Sequence, residues 1–323
     1  MDLKVQDVRH SSLRDSSFSQ DLYSVNNPQY VNFTRSSPSG GFVEVEAFAK
    51  INLFLSITGK RSDGYHELVS VMQSVGLCDT LQISIAPAQA EQIILETDHP
   101  NLPTDGSNLI VKAAKLLVCE YGISESINIK LQKQIPMGAG LGGGSSNAAA
   151  TLHGLNHLLE LGITPEKLMQ MGKTLGADVP FCLLGKSALA KGIGEILTPL
   201  PPHPPCHIVL ACPPIHISTA ETFGRLKDFN PPSVESFLQS YYTSDISKIA
   251  ETFFNTFTPI TAGLHPIIST LITSLQAHGA LGASMTGTGS TVFGYFNNEN
   301  DARRVCNILK HHHPDIKFFS TTI

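Results

Sequence analysis

The chain has no tryptophan in 323 residues and only six cysteines, at 78, 119, 182, 206, 212 and 306, with no C-x-x-C pair. Such spacing supports neither a structural zinc site nor a disulfide framework, and it suits a reducing compartment. Positive charge is also short: 22 Lys and Arg stand against 27 Asp and Glu, for a net charge of -5. The basic field that grips a nucleic-acid backbone is therefore missing. No apolar run approaches the roughly 20 residues of a membrane-spanning helix, and the N-terminus lacks the apolar core of a signal peptide. The sequence thus reads as one with no nucleic-acid and no membrane partner. A small nucleotide stays open, because it needs only a few local donors.

Hydrophobic residues make up 41% of the chain and charged residues 15%, enough to bury a real core. At roughly 150 residues per domain, the length suggests two domains. Residues 1–41 are rich in Ser and Asn and hold no lasting period. They read as a disordered leader or extension. A transit peptide is the alternative, which would place the protein in a plastid stroma instead of the cytoplasm, although such peptides are usually poor in acidic residues. An N-terminal domain is expected over 42–197 and a C-terminal domain over 198–323. The proline-rich stretch 198–205, which can sustain neither a helix nor a central strand, marks the join. His311, His312 and His313 read as a solvated C-terminal stretch, and no metal site is expected from them.

Period-two patterns predict strands near 43–47 and 51–57, then a polar turn at 59–64. Further strands are expected at 92–97, 127–131, 207–211 and 291–296. Asn108 is placed to open a helix with the stripe Ile110, Ala113, Ala114 and Leu117, and Gly122 to stop it. Helices are also expected through Ala148–Leu159, from Thr164-Pro165 onward, and near 246–256 and 264–277.

The segment with the most chemical content is Pro136-Met137-Gly138-Ala139-Gly140-Leu141-Gly142-Gly143-Gly144-Ser145-Ser146, between a strand and a helix. Glycines leave room for backbone N–H groups to converge on an anion, and the helix start adds its own unpaired donors. Ser145 and Ser146 can cap the helix, contact phosphate or help to hold Mg²⁺. Gly138, Gly140 and Gly143 also satisfy G-x-G-x-x-G, so an NAD(P)-binding oxidoreductase is an alternative. The late position in the domain and the flanking Pro136 speak against it. A Walker A loop fails, because Lys167 stands where its first glycine belongs.

Four more segments complete an ordered set: Ala49-Lys50-Ile51-Asn52-Leu53 followed by Asp63-Gly64-Tyr65-His66-Glu67, then Gly176-Ala177-Asp178-Val179-Pro180, and Met285-Thr286-Gly287-Thr288-Gly289-Ser290. From about residue 43 to the C-terminus this set resembles the GHMP small-molecule kinases. The resemblance implies an α+β fold of two domains with the active site in the cleft between them. It implies ATP as phosphoryl donor with Mg²⁺, and a cytidine diphosphate-linked polyol phosphorylated on its C2 hydroxyl in non-mevalonate isoprenoid precursor synthesis. It also assigns roles. Asp178 becomes the general base and Lys50 its electrostatic partner, since an aimed carboxylate can take the proton of an attacking hydroxyl and a lysine can offset developing charge. Taken alone, Asp178 reads equally as a helix cap and Lys50 as a solvated strand residue. Residues 136–146 become the ATP cradle, with Asn108 beside the base or simply an N-cap. Asn52, Tyr65, His66, Thr219, Phe223, Gly287, Thr288 and Gly289 become substrate contacts, with His66 reading the cytosine edge between Tyr65 and Phe223. Phe48 and Thr286 depart from the family pattern without removing a catalytic group. A kinase of the same family acting on mevalonate or homoserine, and an inactive ligand-binding relative, are the remaining alternatives. Nothing in the sequence specifies an oligomer.

Overall fold

The computed structural model describes residues 34–36, 41–87, 92–227, 229 and 231–323. Most of the expected leader, residues 1–33 and 37–40, lies outside the described residues. In chain order the elements are β1 (Thr34–Ser36), β2 (Phe42–Lys60), β3 (His66–Ala86), β4 (Ile93–Thr97), α1 (Leu109–Tyr121), β5 (Ser126–Gln132), α2 (Gly143–Leu158), α3 (Pro165–Leu175), α4 (Val179–Leu184), β6 (Ser187–Gly192) and β7 (Ile196–Pro199). They continue with β8 (His207–Cys212), α5 (Thr219–Gly224), α6 (Val234–Tyr242), α7 (Ile246–Glu251), β9 (Phe254–Asn255), α8 (Thr258–Leu264), α9 (Ile267–Ala277), β10 (Ala283–Met285), β11 (Val292–Phe296), α10 (Glu299–His312) and β12 (Lys317–Thr322).

Two sheets organise the α+β chain. The larger has the path β1-β2-β3-β5-β4, with β6 on β3, β7 on β6 and β9 on β2. The smaller is antiparallel, in the order β10-β11-β8-β12. β1 pairs with Phe42–Glu44, so Thr34–Ser36 belong to the sheet and not to a disordered leader. Backbone pairing on an open edge needs little apolar content, which is why composition hid it.

Strand β2 is where the two halves meet. Up to Ala47 it alternates buried and half-buried residues, as period two predicts. From Ala49 to Ile57 every residue is buried. That stretch is covered on both faces: Ala49, Ile51 and Leu53 share a core with Ile208, Leu210 and Phe293 of the smaller sheet, and Leu55 and Ile57 another with Val209, Leu271 and Phe296. A third core joins Val43, Val45, Leu81 and Ile129 to α1 and α2.

Helix α1 forms as expected. Asn108 Oδ1 accepts from the Ile110 N–H at 2.9 Å, the stripe Ile110, Ala113, Ala114 and Leu117 is buried, and Gly122 closes the helix at φ 65°. Such a cap is worth about 1 kcal/mol. Other expectations are corrected. The strands near 43–47 and 51–57 are one strand, and the polar turn is Arg61–Tyr65. The helix expected over 246–256 stops at Glu251, because Phe254 and Asn255 pair with β2. The helix expected over 264–277 is split, since Pro266 forces His265 into extended backbone. Thr198 and Pro199 end an edge strand, a position that tolerates proline. The histidine triplet lies at the end of α10, with His311 and His312 exposed.

The glycine segment follows β5, which is antiparallel to β3, and α2 leads through α3 and α4 to β6, again antiparallel to β3. β5 and β6 lie on separate stretches of β3 and do not pair with each other, so among the described residues no adjacent pair of parallel strands is joined through the loop, which argues against the dinucleotide reading.

Candidate active site

The site starts from irregularities in β2. Its register against β3 shifts between Phe48 and Ala49 and again between Asn52 and Phe54, on either side of Lys50 and Asn52. Bulges re-aim side chains, and here they leave two polar residues buried, at 5% and 4% exposure. Burial without partners would be costly, and both are bonded. Lys50 Nζ donates to Asn52 Oδ1 at 2.8 Å and lies 3.5 Å from Asp178 Oδ2. Asn52 Oδ1 also accepts from Thr286 Oγ1 and the Gly287 N–H, each at 3.1 Å, while Nδ2 donates to Ser70 Oγ. The carboxamide oxygen is thereby taken by three donors, and Ser70 uses one of the two amide hydrogens. Asn52 ties Lys50 to the last glycine loop and keeps a second amide hydrogen for the substrate contact expected of it.

Asp178 sits at the N-cap position of α4 yet makes no side-chain cap bond, so the bland reading of this residue fails and its carboxylate is left to face Lys50. Lys50 is likewise no solvated strand residue. Cys182, one turn further on, offers no competing nucleophile, since burial raises its thiol pKa far above the ordinary range.

The glycine segment turns through positive φ at Gly138, Gly140 and Gly142. A Cβ on Gly140 would stand 2.5 Å from the Thr286 carbonyl oxygen. Only glycine lets the two glycine loops meet this closely. The Thr291 N–H donates to the Ala139 carbonyl and the Lys50 N–H to Leu141, fixing the loop to both halves. Pro136 to Ser145, with Leu102, Pro103, Asn108, Leu109 and Lys133, line a cavity of about 360 Å³, within the range of small-ligand pockets. Asn108 both caps α1 and lines the cavity. Ser145 faces it and makes no hydrogen bond to a described residue. Ser146 does not line it: its hydroxyl donates to the Phe48 carbonyl at 2.7 Å, because the first turn of α2 points it into β2. Neither serine caps the helix, whose N-cap is Gly142.

Sequence reasoning missed the group that holds the loop's stem. Asp79 is fully buried. Its carboxylate accepts from the Gln134 and Ile135 N–H groups at 2.7 and 2.8 Å, from Asn147 Nδ2 at 2.8 Å and from Lys133 Nζ. Burial lowers the Lys133 pKa, and the Asp79 charge opposes that. A lone acid in a strand gives no sequence signal. Asn255, which donates to the Met285 and Gly287 carbonyls, and Thr261, which donates to Thr288, brace the second glycine loop and were missed for the same reason.

At the far end of β2 an aromatic group gathers. The His66 ring lies 5.0 Å from Phe223, which packs edge-on against Phe257 at 4.7 Å. Phe229, not expected from sequence, lies 5.8 Å from His66 on another side. Tyr65 is 60% exposed on the turn. Burial, then the nearby Lys60 charge, lowers the His66 pKa, which favours a neutral ring able to both donate and accept. Thr219 Oγ1 is 3.3 Å from Thr288 Oγ1, so the substrate residues expected on α5 and on the last loop do meet.

The glycine loop at the start of α2 lines the cavity, and the Lys50 side chain, paired with Asp178, lies against that loop at Gly142; comparison places the class of this arrangement. Residues 108–186 match the N-terminal domain of the GHMP kinases and residues 237–315 their C-terminal domain. The chain is 41% identical over 265 residues to 4-diphosphocytidyl-2-C-methyl-D-erythritol kinase of Lachnoclostridium phytofermentans, covering 81% of this chain and 90% of that one. With the same enzyme of Alkaliphilus oremlandii it shares 42% over the same fractions. A crystal structure of 4-(cytidine 5'-diphospho)-2C-methyl-D-erythritol kinase superposes with a TM-score of 0.74 at 33% identity, covering 86% of this chain and 98% of that one. The homoserine kinase of Cytophaga hutchinsonii, at 20% identity and TM-score 0.70 over 89% of this chain and 96% of its own, shares the fold. The chain belongs to the 4-diphosphocytidyl-2-C-methyl-D-erythritol kinase family of the GHMP kinases.

Proposed function

We propose that the protein transfers the γ-phosphoryl group of ATP to the C2 hydroxyl of 4-diphosphocytidyl-2-C-methyl-D-erythritol. The observation that carries this is the Lys50–Asp178 pair, 3.5 Å apart beside the glycine-loop cavity. Asp178 accepts the hydroxyl proton as oxygen attacks phosphorus, and Lys50, aimed by Asn52, balances the charge that develops. Direct in-line transfer needs no covalent carrier on the protein. The loop N–H groups and the start of α2 receive the triphosphate, and Leu102, Pro103 and Leu109 flank the base. His66, with Phe223 and Tyr65, recognises the cytosine. The retained pair speaks against a ligand-binding relative without turnover.

The donors present suit Mg²⁺ held mainly by phosphate oxygens and water. Ser145 offers a free hydroxyl at the cavity and Asp178 a carboxylate paired with Lys50, and no cluster of three metal-ligating side chains occurs among the described residues. When bound, Mg²⁺ screens the triphosphate charge. No helix among the described residues is long and apolar enough to cross a membrane. Catalysis in the cytoplasm or a plastid stroma suits the absence of disulfides among the described cysteines.

The test is ADP release by the purified chain with ATP and Mg²⁺, offering the cytidine substrate, mevalonate and homoserine in turn. Turnover with the cytidine substrate alone is expected. Preference for a cytidine-free alcohol overturns the assignment.

A further inference from the structure

The segment between β8 and α5 carries a side chain that the roles above leave unused. Pro213 and Ile217 pin it at both ends: Ser290 Oγ donates to the Pro213 carbonyl at 3.0 Å, and Ile217, 8% exposed, packs against Gly289. Between them His216 is exposed and makes no hydrogen bond to a described residue. It reaches across to the first glycine loop, where a methyl group on Gly138 would stand 3.4 Å from its Nδ1 and 3.9 Å from its Cε1. A histidine from the C-terminal half is thus held over the loop that receives phosphate, next to the Thr219–Thr288 contact.

Charge shows what it could do there. The two lysines next to the loop are already matched, Lys50 by Asp178 and Lys133 by Asp79. The proposed ligands bring a triphosphate and a diphosphate into the same cleft. An imidazole can supply both a charge-assisted donor and, on protonation, a cation at near-neutral pH. The geometry points to His216 as a further phosphate ligand at the Gly138 end of the glycine loop. This inference rests on the kinase reading above.

Neither residues 134–145, nor residues 286–291, nor the rest of 213–218 contain an ionisable side chain. From α5 comes Glu221, already paired with Arg225 at 2.7 Å, and against Gly142 of the loop lies Lys50 with its partner Asp178.

Two measurements on the full chain test it. In steady-state kinetics at pH 6.5, His216→Ala should raise KM about three- to tenfold for the ligand whose phosphate it holds, with a smaller change in kcat. In wild-type protein, the His216 ring signals followed by NMR across pH should move to a higher titration midpoint when ADP or cytidine 5'-diphosphate is added. A shift with ADP assigns the ATP phosphates, and a shift with cytidine 5'-diphosphate assigns the substrate diphosphate. Active wild-type enzyme whose His216 midpoint ignores both ligands, with KM unchanged in the variant, overturns the inference alone. Wild-type protein with neither ADP binding nor turnover overturns the kinase reading beneath it.

Discussion

Lys50 and Asp178 share a contact of 3.5 Å with unequal exposure: the lysine side chain is 6% exposed and the aspartate 36%. The cation is locked inside the fold by Asn52, and the carboxylate is partly open to solvent. Asp178→Asn should therefore fold normally, bind ATP and lose about 10² to 10⁴ in kcat, because an amide cannot accept the hydroxyl proton. Rapid-quench or coupled assays of ADP release measure this. Near-normal turnover in a folded variant removes Asp178 from the base role.

Gly140→Ala should weaken ATP binding by more than tenfold while leaving the fold assembled. The added methyl would meet the Thr286 carbonyl at 2.5 Å in a backbone held at φ 79°, and backbone cannot swing away as a side chain can. Isothermal titration with ATP checks it. Unaltered affinity would separate the loop from the nucleotide.

His66→Ala should raise KM for the cytidine substrate far more than KM for ATP. The ring lies among Phe223 and Phe229, away from the glycine loop, and a site that pairs a polar edge discriminates by orders of magnitude. Steady-state kinetics with each substrate varied in turn give the answer. A fall in kcat at constant substrate KM would relocate His66 to the transferred phosphate.

Asp79→Ala should cost about 3 to 5 kcal/mol of stability, since it strands the Lys133 ammonium and three further donors in the interior. Urea denaturation reports it. A loss below about 1 kcal/mol would show that the loop stem holds without this anchor.

His203 gives the stability a pH dependence. It is buried between Tyr241 and Tyr295, and burial brings its pKa down to about 4 from the ordinary 6.5. Between those values the unfolded chain binds a proton that the folded chain refuses. Its contribution is complete above pH 6.5 and declines as pH falls toward 4, by on the order of 3 kcal/mol in all. His153, whose pKa burial also lowers, acts in the same direction. Melting temperatures at pH 7.5 and 4.5 should differ less in His203→Gln than in the parent, and an equal difference in both would exonerate His203.

Elements with a single pattern were legible in the sequence. Asn108 to Gly122 carries its cap, stripe and stop in one helix, and the glycine segments are dense enough to declare themselves. β3 was not legible, because His66–Ala86 serves two partners on one edge, β6 and then β5, and its burial pattern changes between them. α10 buries Ala302, Val305, Cys306 and Leu309 at helical spacing, a signal that was present and went unread. In the site, the two glycine loops stood out by composition, whereas Lys50 and Asp178 were singled out only through the family resemblance. Asp79, Asn255 and Thr261 did not, because each acts by accepting from or donating to backbone far away in sequence. Ser146 shows the reverse error: two adjacent serines look equivalent on paper, but a helix turn of 100° sends one to the cavity and the other into the sheet.

The turn Arg61–Tyr65 ends the same long strand whose middle holds Lys50. Its fold is maintained locally, with Arg61 paired to Asp63 in the turn and to Glu67 on β3, and Gly64 has nothing within 4 Å of where a side chain would grow. The part of the molecule proposed to read the acceptor is consequently modular with respect to the part proposed to perform the transfer. On that proposal a lineage can rewrite the tip and its facing aromatics, and so change what it phosphorylates, while leaving the bulges at Phe48 and Asn52 untouched.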